Sequence, residues 1–207
     1  MFVSKDSPIS SPAFTRFLFL ALTGLVAATI PASASAQSND TLSKEEISVS
    51  VVDVKNSEMP KVVVKGVVDA PPAKVWEIES DCTKYKQRMT RIKAAKLVKK
   101  TGDTYICDVT VELPFPLSNL RATTTAKHVS GPPTWSRTWT LLEGDYELND
   151  GSWVLQEFAG DPNRTFVVYS VHAIPNTAVP DWLRKRAQES SMPDVIKRLR
   201  TEVKKLK

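Results

Sequence analysis

Between residues 47 and 174 apolar and polar side chains alternate mostly with a period of two, and only near the C-terminus does the period lengthen to that of a helix. Residues 47–54 set Ile47, Val49 and Val51 against Ser48 and Ser50, the pattern of a half-buried strand. A turn over 56–60 and a valine-rich run over 61–68 predict its hairpin partner. Pro71-Pro72 stops that strand. Residues 73–79 then suit a short helix, with proline at its start, where a missing N–H costs little. Asp81 is placed to N-cap a second short helix over 82–89. Six further strands follow, over 93–100, 104–113, 120–129, 134–142, 152–158 and 165–174, with the last hairpin turning around 160–163. At the end, Met192, Val195, Ile196, Leu199, Val203 and Leu206 form one apolar stripe opposite Lys197, Arg198, Arg200, Lys204 and Lys205. Pro193 is expected to kink this helix or to divide it, leaving 180–191 as a separate segment.

The predicted class is α+β: a curved antiparallel sheet wrapped around a long C-terminal helix, with two short helices after the first strands. A long sheet with one apolar face needs a cover, and the C-terminal helix is the one large element available. A helix about 10 Å wide does not fill a wide, bent sheet, so a space is expected between them, where an apolar ligand could complete the core. A ligand burying about 400 Å² would gain ~10 kcal/mol gross, at 25 cal/mol per Å².

Several phrases, taken in order, resemble the START-like (SRPBCC) superfamily, which includes polyketide cyclases, coenzyme Q-binding proteins and lipid-transfer domains. They are Asp69-Ala70-Pro71-Pro72-Ala73-Lys74-Val75-Trp76 before the first short helix, Leu113-Pro114-Phe115-Pro116-Leu117 at a strand end, Gly151-Ser152-Trp153-Val154-Leu155 in a late strand, and Tyr169 followed by Pro175, Pro180 and Trp182-Leu183. The resemblance implies a helix-grip fold over 47–207 and an apolar cavity, and it fixes no ligand.

The N-terminal 36 residues read as an export signal. Lys5 and Arg16 precede a mostly apolar run over 17–30, Pro31 breaks it, and Ala34-Ser35-Ala36 offers a cleavage site before Gln37. The run is shorter than the roughly 20 residues that span a bilayer. Removing 36 of the 207 residues leaves 171, beginning with a flexible segment over 37–46. The expected location is periplasmic or secreted. An oxidising compartment permits a bridge between Cys82 and Cys107, although two buried thiols would satisfy the sequence equally.

Apolar residues at 42% and charged residues at 25% are ordinary globular composition. The net charge of +5 is unevenly placed: residues 84–100 carry eight basic side chains and no acidic one, and residues 182–207 nine basic and three acidic. These faces are either simply solvated or suited to an anionic membrane surface. Nucleic acid is not expected, because the clusters lack interleaved aromatic residues.

Candidate ligand-binding residues are Phe115, Arg137, Trp139, Trp153, Tyr169, Met192 and Ile196. Trp135, Arg137, Trp139 and Leu141 share a strand face. If that face points inward, Arg137 is a buried cation able to hold a carboxylate or phosphate. If it points outward, Arg137 lies between two rings in a cation–π arrangement. The Tyr169 hydroxyl could cap a polar ligand end or bond to backbone. His128 and His172 lack metal-ligand spacing and read as surface or strand residues. Asp108 and Glu112 fall on an outward face. The chain has no phosphate loop, nucleophile elbow or C-x-x-C, so no catalytic residue, cofactor or metal is predicted. The expected function is an exported carrier of a lipid or other apolar small molecule. The alternatives are a polyketide cyclase or aromatase-like enzyme using Arg137 and Tyr169, and a module docking on membranes or a protein partner.

Overall fold

The computed structural model describes residues 46–180, 182–183 and 191–206. The predicted export signal, most of the 37–46 segment and most of the 180–191 segment lie outside the described residues. Strands β1 (Ile47–Val52) and β2 (Lys61–Val68) precede helix α1 (Pro72–Glu79), a single 3-10 turn (Cys82–Lys84) and helix α2 (Tyr85–Arg88). Strands β3 (Ile92–Thr101), β4 (Thr104–Val111), β5 (Leu120–Val129), β6 (Thr134–Gly144), β7 (Tyr146–Phe158) and β8 (Asp161–Pro175) follow, and helix α3 (Met192–Val203) ends the chain. All eight strands join one antiparallel sheet in the order β1-β2-β8-β7-β6-β5-β4-β3. This is the helix-grip arrangement expected from the sequence pattern.

Differences from the sequence reading fall at element ends and have local causes. The predicted helix over 82–89 is a 3-10 turn followed by one α-turn. Asp81 caps it as expected, its carboxylate accepting from the Thr83 N–H at 3.1 Å. The last hairpin turns at Ala159-Gly160, both with positive φ, so β8 begins at Asp161 rather than 165. Pro193 lies in the first turn of α3, a position where its missing N–H costs little.

Register explains how the sheet's inner face accepts both the helix and bulky rings. Gly66 of β2 sits under α3: a Cβ there would lie 2.8 Å from the Ile196 Cγ2, so glycine lets Ile196 into the interface. Ile196, Leu199 and Val203 of α3 join Val64, Val68, Leu155 and Val167 in one core. Helix α1 closes the other side with Val75 and Ile78, and the Thr165 hydroxyl donates to the Ala70 carbonyl at 2.6 Å, tying β8 to the start of α1. A Cys82–Cys107 disulfide, with Cα atoms 6.5 Å apart, ties the 3-10 turn to β4. The bridge thus takes one of the two states open from sequence. Among the described residues no helix is long and apolar enough to cross a membrane.

Candidate ligand cavity

Between the sheet, α2 and α3 lies a cavity of about 170 Å³. Its wall combines Met89, Val109 and Val195 with the rings of Trp139, Trp153 and Tyr169 and with the Arg137 guanidinium. A second, mostly apolar space of about 220 Å³ lies toward the start of α3, lined by Val62, Leu113, Leu183 and Met192 among others. Val111 borders both spaces.

Strand pairing assembles the ring wall. Trp153 of β7 faces Tyr169 of β8 and Arg137 of β6, and Trp139 of β6 faces Gly151 of β7. A Cβ on Gly151 would fall 2.1 Å from the Trp139 ring and 2.5 Å from the Ser170 carbonyl oxygen, so the indole lies where a side chain would otherwise stand. Trp153 and Tyr169 rings are 4.4 Å apart, and Trp139 and Tyr169 rings 6.0 Å. The Trp139 indole N–H donates to Asn149 Oδ1 at 3.1 Å, satisfying the one polar atom of that buried ring.

Arg137 points inward. It is 5% exposed, and one of its terminal nitrogens lies 3.5 Å from Oε1 of Glu79, which is fully buried. The outward alternative is thereby excluded, although its cation–π element survives inside: the guanidinium sits 5.2 Å from the Trp139 ring centre and 5.6 Å from that of Tyr85. The Tyr85 hydroxyl donates to the Glu79 carbonyl oxygen and approaches its Oε1 at 3.3 Å. Among the described residues, Glu79 Oε2 and Arg137 Nε have no hydrogen-bond partner. Burial pushes the Glu79 carboxyl up to about 7, against the opposing pull of Arg137. Burial likewise raises the Tyr169 hydroxyl to about 12, so it stays a neutral donor, and among the described residues no hydrogen-bond partner holds it.

His128, opposite Arg137 on β5, is also inward and buried rather than at the surface. It stacks on Tyr105 at 4.0 Å and meets Trp76 edge-on at 5.1 Å. Burial first, then the nearby charges of Arg137 and Lys100, push it down to about 4, so it is neutral at ordinary pH.

Of the seven candidate ligand residues, Arg137, Trp139, Trp153 and Tyr169 gather on one wall of the first cavity, and Met192 lines the second. Phe115 requires correction. It is 95% exposed on the β4–β5 loop, because the prolines on either side end the strand before it can point inward. Ile196 is fully buried but lines neither space. It fills the contact with Gly66, and its neighbour Val195 faces the cavity instead. Sequence reasoning missed Glu79 and Asn149. The available signal for Glu79 was its position four residues after Val75, on the apolar face of α1. Asp108 lies on the outer face, paired with Arg121 through a 2.7 Å hydrogen bond. Among the described residues no group of three His, Cys, Asp or Glu side chains is placed to hold a metal.

A bent sheet gripping a C-terminal helix around an apolar, ring-walled cavity defines a START-like protein. The chain belongs to the family described as polyketide cyclase / dehydrase and lipid transport, whose model matches residues 68–200. Among solved structures it is similar to the STAR-related lipid transfer protein from Xanthomonas axonopodis, at 20% identity and TM-score 0.65, covering 78% of this chain and 96% of that one. It is also similar to human STARD10, at 15% identity and TM-score 0.67, covering 80% and 72%. The Zhui aromatase/cyclase from Streptomyces sp. R1128 is similar at 16% identity and TM-score 0.56, covering 70% and 93%. No curated protein matches the chain in sequence.

Proposed function

We propose that this protein is an exported carrier that binds a lipid or another apolar small molecule between α3 and the sheet. The observation that carries the reading is a ring-walled pocket of about 170 Å³ between the sheet, α2 and α3, partly open to solvent and sharing Val111 with a second, mostly apolar pocket of about 220 Å³. Specific small-molecule sites are apolar hollows with a few placed polar groups, and this one sets Arg137, Tyr169 and Asn149 among rings and aliphatic side chains. The START lipid transfer structures of the same fold support a lipid-like ligand. Export is supported by the N-terminal signal pattern and by the disulfide, a bond rare in reducing compartments. Native mass spectrometry of the purified protein tests the carrier reading: a co-purified lipid, or uptake of an added fatty alcohol, sterol or quinone, is the expected result. Protein that stays empty with all of them would refute it.

A second reading is supported by the family description and the aromatase/cyclase neighbour, together with two polar groups, Arg137 and Tyr169, on the cavity wall. Turnover of a polyketide-like model substrate that falls with Arg137→Ala or Tyr169→Phe would favour it over a carrier. Docking on an anionic membrane is a further part of the proposal, resting on the basic run over 84–100 that forms α2 and β3. Co-sedimentation with anionic vesicles that weakens as salt rises supports it, and binding indifferent to salt would contradict it.

A further inference from the structure

Building on the carrier reading, we propose that the Glu79–Arg137 pair makes the cavity select ligands with an uncharged polar end, a hydroxyl or a carbonyl, over ligands ending in a carboxylate. Among the described residues, Arg137 is the one cation on the wall of the first cavity. Alone, a buried guanidinium would attract an acid strongly. It is not alone: Glu79 reaches across from the end of α1 to within 3.5 Å, and both groups are shut away from water. A ligand carboxylate entering here would place two anions around one cation in a medium of low polarity, after losing its own hydration. A neutral oxygen meets neither penalty.

The rest of the wall suits such an oxygen. The Tyr169 hydroxyl has no protein partner among the described residues. Asn149 has committed its Oδ1 to the Trp139 indole, which leaves its amide hydrogens to offer. Thr124 adds a hydroxyl on the same wall. Each of these groups is uncharged, and together they can donate to and accept from one alcohol or ketone. The rings of Trp139, Trp153 and Tyr169 then flank the apolar body next to that oxygen.

The test uses matched pairs that differ only in the polar end: 1-decanol with decanoate, and retinol with retinoate. Binding to the full chain is read at pH 8 from quenching of tryptophan fluorescence, since Trp139 and Trp153 line the site. The expected result is tighter binding of the alcohol in each pair by about tenfold or more, the factor that ~1.4 kcal/mol of charge discrimination produces. Glu79→Gln frees the charge of Arg137 and is expected to close or invert that ratio in favour of the acid. Tyr169→Phe leaves the ion pair untouched and is expected to lower alcohol affinity about fivefold, the loss of one hydrogen bond. The wild-type ratio decides the matter even if Glu79→Gln does not fold. Acids binding the wild-type protein as tightly as the alcohols overturn the selectivity while leaving the carrier reading intact. Failure of all four compounds overturns both.

Discussion

At the scale of single residues, the inner face is governed by two unusual placements. The first is Trp139 lying over Gly151. Gly151→Ala forces the indole away and also strikes the Ser170 carbonyl, so it is expected to cost about 1–3 kcal/mol, as overpacking does, and to lower ligand affinity. Urea denaturation beside the binding assay measures both, and an unchanged urea midpoint would contradict this packing. The second is the pair of titratable groups on neighbouring elements. Glu79 is raised to about 7 by burial, so its contribution to stability is full below its unfolded value near 4.5 and is lost as pH rises toward 7. His128 is lowered to about 4 by burial, so its contribution is full above 6.5 and is lost as pH falls through 4. Between pH 4.5 and 6.5 the two therefore oppose each other. Glu79→Gln removes the falling component and leaves the rising one. Urea midpoints at pH 4.5 and 6.5 should then climb more steeply with pH in the variant than in the wild type, and identical slopes would contradict the assignment. Residue-level chemistry was only half legible in the sequence. Period-two alternation placed Arg137 and Trp139 on one face without saying which way it pointed, because that depends on what covers the sheet. Glu79 is separated from Arg137 by nearly sixty positions, and no local pattern links them.

At the scale of elements, local pattern carried most of the information. The β2 and β5 boundaries coincide with those predicted over 61–68 and 120–129, and the stripe from Met192 to Leu206 is the face that α3 and its C-terminal extension pack against the core. Errors gathered where chain geometry, rather than hydrophobicity, decides: the tight Ala159-Gly160 turn and the proline-flanked loop that carries Phe115 outward. The disulfide belongs to this scale too, joining elements whose apposition spacing could not establish. Replacing both Cys82 and Cys107 with alanine releases a loop spanning 25 positions. It is expected to cost about 3 kcal/mol by chain entropy, measured as a lower urea midpoint against the oxidised wild type. Helix α3 offers a cleaner probe of the site. Val195→Trp fills the cavity from its helix side and is expected to abolish ligand uptake while circular dichroism shows the fold retained. Uptake that persists would place the ligand elsewhere.

At the scale of the whole molecule, architecture makes the site. Among the described residues, eight strands present more inner surface than the twelve residues of α3 cover, and the remainder is shared by α1, the 3-10 turn, protein rings and open volume. That general consequence was legible from the order and lengths of the elements. The division of the volume into two spaces, and the polar wall of one of them, depended on long-range register. The proposed export is tested at this scale as well: if the signal is cleaved, the mature protein begins at Gln37, as intact mass would show, and a chain retaining its first 36 residues would contradict the cleavage.

A crystal structure of the protein with 1-decanol would show directly whether the pocket beneath α3 takes an apolar ligand. Density for the alkyl chain is expected between α3 and the sheet, against Trp153 and Val195, with the oxygen within hydrogen-bonding distance of Tyr169 or Asn149. An interior without ligand density, in crystals where the alcohol is bound only at the surface, would contradict it.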